Sequence, residues 1–297
     1  MPESRPLRVY VILALGIISV MLSPIFIRFA SAAPSITVGV WRTVFAALLL
    51  TPVALLRMGP EVRHFSRRDG LLVVGAGVLL GLHIVAWIES IYHTTVASAS
   101  VLVWTNPLFM ALLGFFFLRE RLSKEIVAGL VVAVLGAMLL GWGDLSDAGN
   151  PAPNPLLGNS LALIAAVLVS IYLVIGRVVR QRYSWLTYVF PLYVVTAVTT
   201  LVMALVRGTP LFGYDASIYG WCLLLALGPS LLGHGAFNYA VRYFRVALLG
   251  AVSLLEPVGS SILAYLIFDE APGLLAVGGM LLVLVGVTFA IRPSRKR

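Results

Sequence analysis

Charge is what this sequence has least of. Asp, Glu, Lys and Arg make up 11% of its 297 residues, against roughly a quarter in an ordinary soluble domain. A soluble fold of this length needs a polar shell, and the residues to build one are missing. Cysteine is almost absent too. The single Cys222 lies in an apolar run, which excludes a disulfide framework and a thiolate metal site. Of the four histidines, the two outside the apolar runs, His64 and His93, have no carboxylates at metal-ligand spacing. There is no GxxxxGK[ST] loop, and no GxGxxG follows a strand. No metal and no cofactor is expected.

What is abundant is hydrocarbon, with 60% hydrophobic residues and a mean hydropathy of +1.01. Ten segments are long enough to cross roughly 30 Å of bilayer core: 8–30, 36–56, 70–92, 96–118, 125–142, 156–178, 185–206, 216–240, 246–268 and 272–291. Basic residues, an apolar run and then Ala30-Ser31-Ala32-Ala33 imitate a cleaved leader. The run is longer than usual for one and contains Pro24 and Arg28, so it is read as the first span.

The excess of basic residues, a net charge of +9, could suggest a nucleic-acid partner. Its distribution argues against that. Numbering the connections alternately, 18 of the 21 basic residues fall on the side that holds the N-terminus. Arg207 alone lies on the other side, while Arg28 and Arg42 lie within spans. Such a bias places both termini in the cytoplasm by the positive-inside rule. It also supports the count of ten, because a missed span would scramble the alternation.

The chain also repeats itself. Val96–Met138 shifted by 150 positions lies on Val246–Thr288 without a gap, with Asn106 on Glu256, Pro107 on Pro257, Glu120 on Glu270, Gly129 on Gly279 and Gly136 on Gly286. Residues 1–148 are read as one five-span unit, the Pro-, Asn- and Gly-rich 149–155 as a linker, and 156–297 as the second unit. Five spans is an odd number, so the second unit enters the membrane from the opposite face. The expected fold is an all-α membrane protein of ten transmembrane helices arranged as two inverted five-helix repeats. Pro107 and Pro257 are expected to break their helices at the same depth, which a bilayer tolerates only where neighbours or a wet cavity satisfy the freed carbonyls.

These features together resemble the drug/metabolite transporter superfamily and its EamA-type exporters: ten spans, the inverted repeat, and Asn106-Pro107 with Glu120 matched by Glu256-Pro257 with Glu270. Within that group the sequence is most similar to bacterial inner-membrane exporters of aromatic and other amino acids. The resemblance implies alternating access without ATP, through a cavity lined by spans three, four, eight and nine. It also implies residence in the bacterial inner membrane.

Candidate substrate-binding residues follow from shared helix faces. His83 and Trp87 lie on one face of span three, and Trp104 and Asn106 near the break in span four. His234 and Asn238 are four apart on span eight, and Glu256 stands at the break in span nine. An isolated His or Asn can simply bond a neighbouring helix, and a Trp can simply pack. An ionisable carboxyl at mid-membrane costs about 2.5–3.5 kcal/mol on insertion scales, so function is the default for Glu256. It could hold a substrate amine, pair with a base or carry a proton. Arg28, Arg42 and Glu89 fall toward the outer face and could form a gate, an ion pair or a carboxylate site.

The expected activity is export of amino acids, aromatic ones included, from the cytoplasm. A multidrug or other-metabolite exporter of the same fold is the alternative. An intramembrane enzyme would need a convergent catalytic pair, and the repeat does not complete one. If the charge bias is read correctly, tags at either end will resist a membrane-impermeant label in intact cells and react after permeabilisation. Labelling of either end in intact cells would overturn the topology.

Overall fold

The computed structural model describes residues 7–58, 65–118, 124–240, 243 and 255–291, and the regular secondary structure among them is entirely helical. In chain order the helices are α1 (Leu7–Met21), α2 (Ser23–Phe29), α3 (Ser35–Arg57), α4 (Arg67–His93), α5 (Val96–Val103), α6 (Asn106–Leu118), α7 (Lys124–Ser146), α8 (Pro155–Arg180), α9 (Trp185–Arg207) and α10 (Ala216–Leu225). A π-helical segment, Ala226–His234, leads into α11 (Gly235–Ala240), followed by α12 (Leu255–Phe268) and α13 (Leu274–Ile291). Seven stretches are long and apolar enough to cross a membrane; Val96–Met110, Leu255–Phe268 and Leu274–Phe289 are shorter apolar helices. These ten apolar segments occur in the order the sequence predicts.

Several spans are interrupted, each for a local reason. The first divides at Leu22, just before the Pro24 that opens α2. The fourth stops at Val103 and restarts at Asn106, ahead of Pro107. At that break the Thr105 hydroxyl donates to the Leu102 carbonyl at 2.7 Å, and the Ser170 hydroxyl donates to the Asn106 carbonyl at 3.0 Å. The Leu102 carbonyl also accepts from the Thr105 backbone nitrogen at 3.1 Å, so side chains add to the backbone bonds of this turn inside the protein. The eighth span widens into the π segment around Pro229. In the ninth, Pro257 is the third residue of α12, and residues 246–254 lie outside the described set, as does Glu120.

The helix pairs gather into two compact units. One comprises Met1–Ile88 with Tyr172–Phe244, the other Glu89–Ile171 with Arg245–Arg297. Each unit therefore draws helices from both sequence repeats.

In the first unit α3 packs along α9, and α1 packs along the π segment and α11. Small residues let the backbones close up: a Cβ at Gly77 would come within 2.6 Å of Val195, and the Thr196 hydroxyl reaches the Gly77 carbonyl at 3.1 Å. At the start of α4, the Asp69 carboxylate accepts from Ser66 at 2.7 Å, from the Tyr183 hydroxyl at 3.0 Å and from Arg182 at 3.1 Å. Phe65 stacks on Tyr183 with ring centroids 4.2 Å apart. Burial, together with the bond it donates to Asp69, pushes the Tyr183 phenol above its usual range.

In the second unit α7 and α13 run antiparallel in close contact, their backbones meeting at glycines. A Cβ on Gly136 would sit 2.6 Å from the Val283 nitrogen and 2.9 Å from the Gly279 carbonyl; one on Gly286 would sit 2.6 Å from the Gly129 carbonyl. Gly136 meets Gly279 and Gly129 meets Gly286, and the 150-residue shift exchanges these two contacts. The interface is therefore isologous within one chain, as two inverted copies require. Leu140, Val283 and Val287 fill the core beside it. Met138 and Trp142 remain two-thirds exposed, as lipid-facing positions would be. No hydrophobic force distinguishes helix from lipid tail here, so close packing carries the association. Gly136→Ala should cost about 1–3 kcal/mol by overpacking. By contrast, nothing lies within 4 Å of a Cβ at Gly141, so Gly141→Ala should stabilise by up to about 1 kcal/mol through helix propensity. Thermal unfolding of the two variants in one detergent should shift in opposite directions.

Candidate functional site

Several of the residues singled out from the sequence fall into two buried polar clusters, one in each unit. In the second unit, the break in the fourth span and the start of α12 bring Glu256, Ser100 and Ser260 together. Glu256 is 1% exposed. Its Oε1 accepts from the Ser100 hydroxyl at 3.3 Å, and Ser260 donates on to Ser100 at 3.1 Å. Trp104, whose indole can only donate, also bonds this carboxyl. The second oxygen, Oε2, is buried with no hydrogen-bond partner among the described residues, and so is Oδ1 of Asn106. A buried polar atom left without a partner costs about 1–3 kcal/mol. The carboxyl and the amide therefore both retain unused capacity to bind something else.

The first unit holds His83, His234 and Asn238. The two imidazoles meet edge to face with centroids 5.7 Å apart, and His234 Nδ1 lies 3.1 Å from the Tyr172 hydroxyl. Asn238 lies beside Tyr172. It is 1% exposed, and apart from the interaction of its side chain with the Tyr172 hydroxyl, neither of its polar atoms makes a close hydrogen bond among the described residues. Trp87 is buried and donates to the Ser23 hydroxyl at 3.4 Å. That contact links α4 to α2.

The three residues expected near the outer face fall in different settings. Glu89 bonds His93 one turn along α4, at 3.0 Å. Arg28 lies half-buried in the last turn of α2. Arg42 turns inward instead: it is 1% exposed, and its Nε donates to Ser230 in the π segment at 2.8 Å.

Sequence reading missed several participants. Tyr172 and Tyr193 are fully buried within apolar spans, where a tyrosine is easily counted as another aromatic. Tyr193 donates to the Ser230 carbonyl at 2.7 Å. Asp144 lies just past the fifth span as read from the sequence, which ends at residue 142. It is buried in the last turn of α7, accepting from Asn159 at 2.7 Å and from Ser98 at 3.1 Å. Glu270 caps α5 by accepting from the Val96 nitrogen at 3.0 Å, the helix-end role its position suggests. No group of three or more His, Cys, Asp or Glu residues that could hold a metal occurs among the described residues.

An all-helical, multi-pass membrane protein with inverted repeats and ionisable groups buried in its spans belongs to the class of membrane transporters. The model of the EamA-like transporter family matches residues 7–142 and again 156–292. The chain belongs to that family, and is a transporter rather than an enzyme. Among its curated relatives, a probable terminal-alkyne amino-acid exporter of Streptantibioticus cattleyicolor is 29% identical over 288 residues, 91% of this chain and 92% of that one. The pseudopaline exporter CntI of Pseudomonas aeruginosa is 25% identical over 233 residues, covering 77% and 78%. A crystal structure superposes with a TM-score of 0.68 at 21% identity over 96% of this chain and 97% of that one, which supports the fold.

Tyr172→Phe deletes the hydroxyl beside His234 and leaves the imidazole nitrogen buried. The expected cost is about 1 kcal/mol, read as a lowered thermal midpoint of the purified protein; an unchanged midpoint would mean that the Tyr172–His234 bond does not form.

Proposed function

We propose that this transporter exports amino acids, aromatic ones included, from the bacterial cytoplasm across the inner membrane. Both termini face the cytoplasm in this reading, and 1–148 and 156–297 are the repeating units joined by 149–155. The carrying observation is the coincidence of unused hydrogen-bonding capacity with sequence-selected residues: Glu256 Oε2, Asn106 Oδ1 and both polar atoms of Asn238. In hydrocarbon, evolution has little reason to keep such groups unless a ligand satisfies them. Glu256 suits a substrate ammonium, with Ser100 and Trp104 fixing the carboxyl. Within the second unit the amide of Asn106 offers both donor and acceptor and Trp104 offers an apolar face; within the first, Asn238 and Trp87 are the corresponding candidates. The amino-acid exporter among the relatives supports this substrate class; the pseudopaline exporter keeps other metabolites as the second reading.

Export proceeds by alternating exposure of these groups to the two sides of the membrane. Transport runs down the solute gradient, and proton exchange at Glu256 is the competing mechanism. In proteoliposomes, wild type should pass phenylalanine saturably, and Glu256→Gln should slow it by about tenfold or more, the loss expected for one charge-assisted hydrogen bond. An imposed pH gradient should not drive accumulation. If it does so in wild type and not in Glu256→Gln, proton exchange replaces facilitated diffusion. If no amino acid crosses at all, the substrate class is wrong.

A further inference from the structure

Among the described residues of the first unit, Arg42 is a buried cation with no acidic side chain recorded as its partner. Arg42 stands about 10 Å in from the start of α3 at 1.5 Å per residue, too deep to reach a headgroup from a helix end. It is 1% exposed and lies against Tyr193 and Cys222. Its one hydrogen bond is Nε to Ser230, and its Nη1 is buried without a partner among the described residues. The only acidic residues described in this unit are Asp69 and Asp215. Asp69 is already held by Arg182, Ser66 and Tyr183, and Asp215 is exposed at the start of α10. A buried guanidinium lacking a counter-ion is costly enough that a structural role is a poor explanation for it.

The groups around it are built for recognition. Ser230 belongs to the π segment, a geometry concentrated at functional sites. Its carbonyl is fixed by Tyr193, and the same segment ends at His234, which faces His83 and Tyr172. A planar guanidinium with open donors fits two oxygens of one anion better than any neutral group.

We propose that Arg42 is a carboxylate-binding residue for the transported solute, its open Nη1 donating to the substrate's carboxylate while Ser230 holds the Nε edge of the guanidinium in place. The proposal rests on the solute-export reading and narrows it to solutes bearing a carboxylate. Amines and amides without one are excluded.

The test uses the full-length protein in proteoliposomes, with labelled phenylalanine and two competitors. One is 3-phenylpropionate, which keeps the carboxylate and lacks the amine; the other is phenylalaninamide, which keeps the amine and lacks the carboxylate. In wild type, 3-phenylpropionate should compete and phenylalaninamide should not. Arg42→Gln should raise the half-saturating phenylalanine concentration about tenfold or more, as loss of a charged hydrogen bond does, and abolish competition by 3-phenylpropionate. Arg42→Lys, which keeps the charge without the planar guanidinium, should fall between. Equal competition by the amide in wild type overturns the proposal without any variant having to fold. So does an Arg42→Gln protein with wild-type saturation and selectivity.

Thermal stabilisation of the purified protein separates this proposal from the export reading. If phenylalanine is not transported, yet 3-phenylpropionate raises the thermal midpoint of wild type and not of Arg42→Lys, the carboxylate site stands and amino-acid export falls. If chloride stabilises wild type as well as the carboxylate does, Arg42 holds an inorganic anion and the proposal is wrong.

Discussion

A hydrocarbon surround gives a polar group no partner except another part of the same chain, and this constraint shapes every element of the protein. Backbone groups meet it by forming helices, and where a span breaks, nearby hydroxyls add bonds to backbone carbonyls. Thr105 and Ser170 do this at the fourth span. Thr43 and Thr200 pair across α3 and α9 at 2.9 Å. Asp144, a carboxylate at the end of a span, is covered by Ser98 and Asn159, and Asn159 in turn accepts from Thr94 at 2.7 Å. These polar groups are closed into local networks, whereas the Ser90 and Tyr188 hydroxyls are buried without a partner among the described residues.

Against that background, the groups not closed off become informative. Glu256, Asn106, Asn238 and Arg42 each keep at least one buried atom without a partner among the described residues. Each stands beside side chains that hold it in place: Ser100 for Glu256, Ser230 for Arg42, Tyr172 for Asn238. A stable protein tolerates such costs where they are repaid on binding. Supported polar groups with spare capacity are what a carrier needs, since a site satisfied by its own protein has no reason to take up a solute.

The helix-helix contacts follow a different economy. With lipid tails as apolar as leucine, α7 and α13 associate through the close approach that Gly129, Gly136, Gly279 and Gly286 permit. Because the repeat carries these glycines at matching positions, one set of contacts generates its mirror partner. The same logic explains why the two compact units do not coincide with the two sequence repeats: antiparallel copies pack equivalent helices against each other, so each unit takes helices from both.

Much of this was legible in the residues alone. Composition dictated a membrane protein, hydropathy located the spans, charge alternation numbered them, and the repeat implied inversion, because each is a property of one-dimensional order. The break near Pro107 and the candidacy of Glu256 were equally visible, since proline chemistry and the cost of a buried carboxyl hold wherever the chain passes. Pairings between distant positions were not. That Arg42 reaches Ser230, that Asp144 is buried against Ser98 and Asn159, and that Tyr172 meets His234 depend on which helix faces which. Residues 188 apart in sequence, as Arg42 and Ser230 are, become neighbours only through packing, and hydropathy carries no record of that choice.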